Sequence, residues 1–231
     1  MRNYQRVSRS SVIVREEILE KFKVTSERDL FPAPPEFEKL ENVVHREQHS
    51  TLLKIILDSE EPLIIHAPGG VGKTVFSRQI VQSLPVGSFG VVYDCFGGGR
   101  YRNRSEVRHH HRQAFVQIVN ELATQGLCDP LIVNSGASET DILRKFLDRI
   151  ETAVIAMKKS NSNAVLVILI DAADNAEMAA AEFNDNCFAH ELLRERIIEG
   201  VKIVALCRTE RIHLLQPPSN IKRFELKAKL D

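Results

Sequence analysis

The sequence carries no surplus of either charge. Its 31 lysines and arginines are matched by 31 aspartates and glutamates, which removes any global electrostatic case for nucleic acid or a membrane surface. Long apolar runs are also missing. Runs such as residues 165–170 fall far short of the roughly 20 residues that span a bilayer, so no membrane partner is expected. Arg2, Arg6 and Arg9 are not followed by an apolar segment, so no secretory leader is expected. Four cysteines, Cys95, Cys128, Cys187 and Cys207, lack CxxC or metal-ligand spacing and read as reduced thiols of a cytoplasmic protein. There is no internal repeat and no low-complexity tract. What is present is a soluble globular composition, 43% hydrophobic and 27% charged. At 231 residues there is room for one sizeable α/β domain.

Residues 1–40 differ from the rest and read as an N-terminal extension. A short helix is expected over 12–22, followed by Pro32, Pro34 and Pro35. Proline fixes its own φ and pushes the preceding residue out of the helical region, so this cluster predicts an extended linker. Residues 41–231 then form the domain proper. A helix is expected over 47–57, with Leu52, Leu53, Ile56 and Leu57 as its apolar stripe. From residue 62 strands alternate with helices. Short continuous apolar runs suit strands buried on both faces of a parallel sheet, and four occur, at 63–66, 89–93, 165–170 and 201–206. A weaker fifth, 223–230, alternates through Phe224, Leu226, Ala228 and Leu230. Ser138 with Asp141 resembles a capping box for a helix reaching about Lys158; Ile142, Phe146, Ile150 and Val154 form its buried face. The pattern predicts an α/β fold with a doubly wound, mainly parallel five-stranded sheet.

The loop between the first strand and its helix carries the chemistry. Ala67, Pro68, Gly69, Gly70, Val71, Gly72, Lys73 and Thr74 match a phosphate-binding P-loop. Glycines let backbone N–H groups curl round a phosphate, and the helix N-terminus adds its dipole. Lys73 would reach the β- and γ-phosphates and Thr74 would ligate Mg2+. Ala67 stands where glycine is usual and requires a negative φ. The second feature is the apolar run ending in Asp171, which resembles a Walker B strand whose carboxylate holds Mg2+; alternatively Asp171 caps the next helix. Asp174, just beyond the strand tip, could polarise an attacking water. The third is Arg208, at the tip of the run 201–206, where ligands of open α/β sheets sit. It is placed to sense a γ-phosphate, or else forms a surface salt bridge.

With these motifs the chain resembles the STAND class of P-loop NTPases, the NACHT and NB-ARC-like switch ATPases, from about Leu40 onward. Val43, Val44, His45, Arg46 and Glu47 look like the segment that opens that family's domain. The resemblance implies adenine contacts from the backbone there, Val44 and Arg46 included. Asp171-Ala172-Ala173-Asp174 is similar to the NACHT form of Walker B, with Asn175 in place of a frequent acid. Cys207-Arg208 corresponds to the family's sensor arginine. The resemblance implies a P-loop fold of the additional-strand (ASCE) type, with the Arg208 strand between the P-loop strand and the Asp171 strand. It also implies ATP and Mg2+ as ligands. The family continues into a lid, a winged helix and a repeat region for which residues 1–231 leave no room. A truncated or isolated switch module, weak in affinity and turnover, is therefore expected.

The remaining features are less specific. Gly97, Gly98 and Gly99 precede a basic stretch from Arg100 to Arg112 that includes Arg102, Arg104 and Arg108. It reads either as a solvated loop leading into a helix over 113–122 or as a patch for nucleic acid or a partner subunit. Three consecutive histidines, His109 to His111, would point in different directions on a helix, so no metal site is expected there. ATP is favoured over GTP because no guanine-reading segment follows the P-loop. Three rival functions stay open. One is a non-hydrolysing, nucleotide-dependent assembly scaffold, in a homo-oligomer or with parent-protein domains. The others are a small-molecule kinase and an AAA+-type ATPase with Arg211 as the arginine-finger candidate.

Overall fold

Four continuous apolar runs become four strands of one parallel sheet because both faces of that sheet are covered. A computed structural model describes residues 15–38, 47–134, 136–196 and 198–228. Its elements begin with α1 (Arg15–Phe22), α2 (Glu27–Leu30), α3 (Gln48–Asp58), β1 (Leu63–Ala67), α4 (Lys73–Gln82), β2 (Phe89–Asp94) and α5 (His111–Thr124). They continue with α6 (Glu139–Ser160), β3 (Leu166–Asp171), α7 (Ala173–Phe183), α8 (Phe188–Leu192), β4 (Val201–Arg208) and β5 (Lys222–Glu225). The strand order is β2-β3-β4-β1-β5, and every pairing is parallel. β4 stands between β1 and β3. This is the additional strand of the ASCE type, and it places Arg208 between the P-loop and Asp171.

Strand side chains alternate between two cores. Ile64, Ile168, Ile170, Ile203 and Ala205 pack with α5, α6, α7 and α8 on one face. Leu63, Ile65, Val167, Leu169 and Val204 pack with α3 and α4 on the other. The sheet is thus doubly wound, and residues of both parities must be apolar. Each buried Leu, Ile or Phe contributes about 1.5–3 kcal/mol. The helix from Glu139 opens as expected, with the Ser138 hydroxyl accepting from Asp141 N–H at 3.1 Å. Ile142, Phe146, Ile150 and Val154 are buried along it.

The fifth strand is shorter than the alternation 223–230 suggests. β5 ends at Glu225 and, among the described residues, pairs only with β1, so as an edge strand it is held from one side. Leu226 still buries its side chain and donates to His66 C=O at 2.8 Å; Leu230 lies outside the described residues. The proline cluster is extended but is not a free spacer. Ala33 is buried, and its N–H donates to Gln117 Oε1 at 3.0 Å. Arg108 donates to the carbonyls of Ala33 and Pro34 at 3.4 and 3.0 Å. Residues 33–36 are therefore strapped onto α5 and the carboxyl end of β2. The four cysteines are free thiols. No helix among the described residues is long and apolar enough to cross a membrane.

Phe146 stacks on Phe115 with ring centroids 4.1 Å apart, at the centre of the larger core. Phe146→Ala is expected to cost about 3–5 kcal/mol in urea unfolding. Val86, 89% exposed, should change stability by under about 0.5 kcal/mol on replacement by serine.

Candidate nucleotide site

At the carboxyl edge of the sheet the loop after β1 turns sharply into α4. Gly70 (φ 78) and Gly72 (φ 89) adopt left-handed backbone, which glycine reaches without a Cβ clash. Ala67 closes β1 and is not among the positive-φ residues, so a side chain is tolerated there. Lys73 Nζ donates to the carbonyls of Ala67 and Pro68 at 2.9 and 3.0 Å. It therefore lies back along the loop it would share with a phosphate. Burial pulls its pKa below the ordinary lysine value, against the opposing pull of Asp174 and Asp171.

The cleft beside this loop has a volume of ≈ 510 Å³ and is lined by Lys73, Thr74, Asp171, Asp174, Arg208 and Asp94, among others. That size falls within the range of small-molecule sites. Thr74 Oγ1 donates to Asp171 Oδ2 at 2.6 Å. Asp171 is buried at the tip of β3, and burial pushes its pKa up to about 6, with the Thr74 bond opposing and Asp94 adding to the rise. The charge of Lys73 only partly offsets this desolvation. Asp171 and the Thr74 hydroxyl are the hard oxygen donors that Mg2+ takes, so the residues fit that ion. Arg208 lies against the P-loop: a Cβ on Gly69 would sit 3.6 Å from its Cζ.

Asp174, in the first turn of α7, is almost fully enclosed. Its side chain is 2% exposed and accepts from Arg208 N–H and Arg211 Nη1, each at 3.3 Å. Arg211, the candidate finger for a neighbouring subunit, is thus paired within its own chain, where it also reaches Asn175. Between Asp171 and α7, Ala172 is held left-handed (φ 57, ψ 40), a conformation that costs a non-glycine residue about 1–3 kcal/mol. Val44 and Arg46, with the rest of the segment read as adenine-contacting, lie outside the described residues.

Asp94 was not singled out by its sequence. It ends β2 in register with Asp171 on β3, and the only cue is that both apolar runs close on an aspartate. Its Oδ1 accepts from Phe96 and Gly97 N–H at 2.9 and 3.0 Å, and its Oδ2 from Glu36 N–H at 3.0 Å. Glu36, carried in by the N-terminal strap, also lines the cleft.

The basic stretch does not form an open cationic face. Arg100 pairs with Glu36 and Glu106. Arg102 pairs with Glu182, and Arg104 lies over Phe183. Arg108 is 3% exposed and anchors the strap, donating also to Asp94 C=O at 3.0 Å. Arg112 donates to the carbonyls of Val133 and Asn134. Besides Glu106 within the stretch, the acids that pair with Arg100 and Arg102, Glu36 and Glu182, come from distant parts of the chain, which a local charge count does not register. The histidines also depart from expectation: His110 is the N-cap and His111 the first residue of α5, so His109 and His110 are not on the helix.

A family model described as "Nephrocystin 3, N-terminal" matches residues 37–208, three quarters of the chain. No curated protein matches. Among solved structures, a Walker-type ATPase of Pyrococcus abyssi is similar over 71% of this chain at 15% identity and a TM-score of 0.44. The chain spans 45% of that structure's length.

Asp171 has a raised folded-state pKa, so its protonation stabilises the fold. That gain is fully present below the ordinary carboxylate value of 3.8 and is lost as pH rises through about 6. Asp171→Asn should therefore stabilise the nucleotide-free protein by about 1–3 kcal/mol above pH 6. The advantage should shrink steadily toward pH 4, as read from melting curves of both proteins across that range.

Proposed function

The chain belongs to the nephrocystin 3 N-terminal family, and on that footing we propose that it is an ATP-binding, weakly hydrolysing switch module of the STAND, NACHT-like kind. The observation that carries this reading is the arrival of Lys73, Thr74, Asp171, Asp174 and Arg208 at one cleft from four different elements, α4, β3, α7 and β4. In this reading the backbone from Pro68 to Val71 cradles phosphate and Lys73 neutralises it. Thr74 and Asp171 hold Mg2+, which when bound would draw negative charge from the phosphate oxygens. Asp174 orients the attacking water, and Arg208 registers the γ-phosphate across Gly69. The backbone around Val44 and Arg46 is assigned to adenine by the STAND resemblance. A cytoplasmic setting belongs to the same proposal and keeps the four thiols reduced.

One observation favours a second reading. Asp174 is bound by Arg208 N–H and by the Arg211 guanidinium, so each of its oxygens already accepts a bond within the chain. A domain fixed in that arrangement would bind nucleotide without turning it over, as an assembly scaffold does. The proposed switch instead requires Asp174 to exchange Arg211 for water once nucleotide is bound.

The two readings separate in measurements on the purified chain. Mg-ATP at 100 times its dissociation constant should stabilise the protein by about 2.7 kcal/mol, a melting shift on the order of 5–10 °C at this size. Lys73→Ala should abolish the shift, and GTP should give a smaller one. No shift in a cooperatively melting wild type would sink both readings. Under single-turnover conditions Asp174→Asn should slow hydrolysis by about 100-fold or more, whereas Arg211→Ala should not slow it. Tight binding with no hydrolysis above background would leave the scaffold.

A further inference from the structure

The three consecutive histidines have no part in the nucleotide site, yet two of them converge. His109 and His110 lie in the turn before α5, which is closed by a bond from His110 N–H to Val107 C=O at 3.0 Å. Phe188 N–H donates to His109 C=O at 3.1 Å and ties this turn to the segment that follows α7. That segment supplies Asp185. Asn184 turns left-handed at the end of α7 (φ 59), and Asp185 N–H folds back to Ala180 C=O at 2.9 Å. As a result Nε2 of His109 and Nε2 of His110 both face one oxygen, Asp185 Oδ2, at 3.1 and 2.9 Å. The three candidate ligand atoms lie within 4.8 Å of one another.

We propose that His109 Nε2, His110 Nε2 and Asp185 Oδ2 form a binding site for a first-row transition cation of the Zn2+ type. Two imidazoles and one carboxylate suit that borderline ion, whereas Mg2+ prefers oxygen alone. In a tetrahedral site with bonds of about 2.0–2.1 Å, neighbouring ligand atoms stand about 3.3 Å apart. Both nitrogen–oxygen separations fall a few tenths of an ångström short of that edge, so the ion could enter with a small outward shift of side chains. The two rings cross at 83° with centroids 4.4 Å apart, which brings the nitrogens in from different planes. His109 is fully buried, while His110 and Asp185 are 35% and 36% exposed. One ligand is fixed by packing and the other two leave an open mouth where water can complete the coordination. Hydrogen bonds from both Nε2–H groups to Asp185 Oδ2 are what an entering ion replaces, each ring then carrying its proton on Nδ1. His111 forms a different arrangement. Glu191 and Glu139 approach opposite nitrogens of its ring, at 2.7 and 3.5 Å. The proposal stands whether or not the nucleotide reading does.

The test uses the chain in the Asp171→Asn background, stripped with chelator, so that the nucleotide cleft loses the carboxylate bonded to Thr74, and the ligand variants below assign any ion that remains. Titration with Co2+ should give one bound equivalent with the visible bands of a four-coordinate site, displaced by Zn2+. A melting shift on the order of 5–10 °C should accompany Zn2+ at 100 times its dissociation constant. His110→Gln and Asp185→Asn, both at partly exposed positions, should each abolish the bands and the shift while leaving the far-ultraviolet dichroism unchanged. Failure of the parent chain to take up either ion at micromolar concentration would overturn the site, as would bands that survive in both variants. Should a variant unfold, protection of the parent's partly exposed His110 from diethyl pyrocarbonate by Zn2+ reads the site directly. Equal modification with and without the ion is then the contrary result.

Discussion

The hydrogen bond from Thr74 to Asp171 joins the two halves of the site across a strand that belongs to neither. Thr74 begins the helix after β1 and Asp171 ends β3, while β4 runs between them. The bond exists only if the sheet places β4 in that gap and if α4 starts at Lys73, which in turn needs the left-handed Gly72 as its N-cap. The same bond makes burial of Asp171 tolerable. A desolvated carboxylate facing Asp94 from the neighbouring strand would otherwise take up a proton more readily still. Strand order, P-loop backbone and the charge state of the deepest carboxylate thus depend on one another.

Around that link, loops at the carboxyl edge are held by buried polar groups rather than by apolar packing. Arg108 ties the strap to Asp94 C=O, and Asp94 ties the glycine turn to Glu36. Gly97 permits the approach, since a Cβ there would lie 2.3 Å from Arg108 Nε. Buried charges of this kind gain little over an apolar core, but removing one partner is costly because it leaves the other uncompensated. Their value here is register: they hold Glu36 and the glycine turn at the rim of the cleft.

The interior of the fold was legible because a strand covered on both faces has no polar parity to confuse the reading. β1, β3 and β4 were found within one or two residues, and the helix from Glu139 announced itself by its cap and four-residue spacing. β5 was misjudged because an edge strand stops where its single partner stops, which alternation does not encode. Lys73, Thr74, Asp171, Asp174 and Arg208 were all brought to the cleft, each lying at a strand tip or in the first turn of the helix that follows one. Asp94 escaped notice because its role is set by cross-strand register with Asp171, a long-range fact. The strap and the arginines misled for a related reason: Gln117, Glu182 and Glu36 are distant in sequence from the groups they hold. The histidines were read as helical, whereas His109 and His110 precede α5, and side chains that would diverge on a helix converge in the turn.

α7 has a property that neither of its ends shows alone. It is an unbroken rod of 11 residues, about 16 Å long, with Asp174 in its first turn and Asp185 two residues past its last. The left-handed Ala172 pins it at the nucleotide end, and the left-handed Asn184 pins it at the other. A helix does not shorten to absorb a push. If the first turn rotates when Asp174 changes partner, the displacement must reappear at the far end, beside the histidine turn that starts α5. The element that carries Asp174 is thereby also a mechanical pointer, and its tip lies beside the turn that holds His109 and His110.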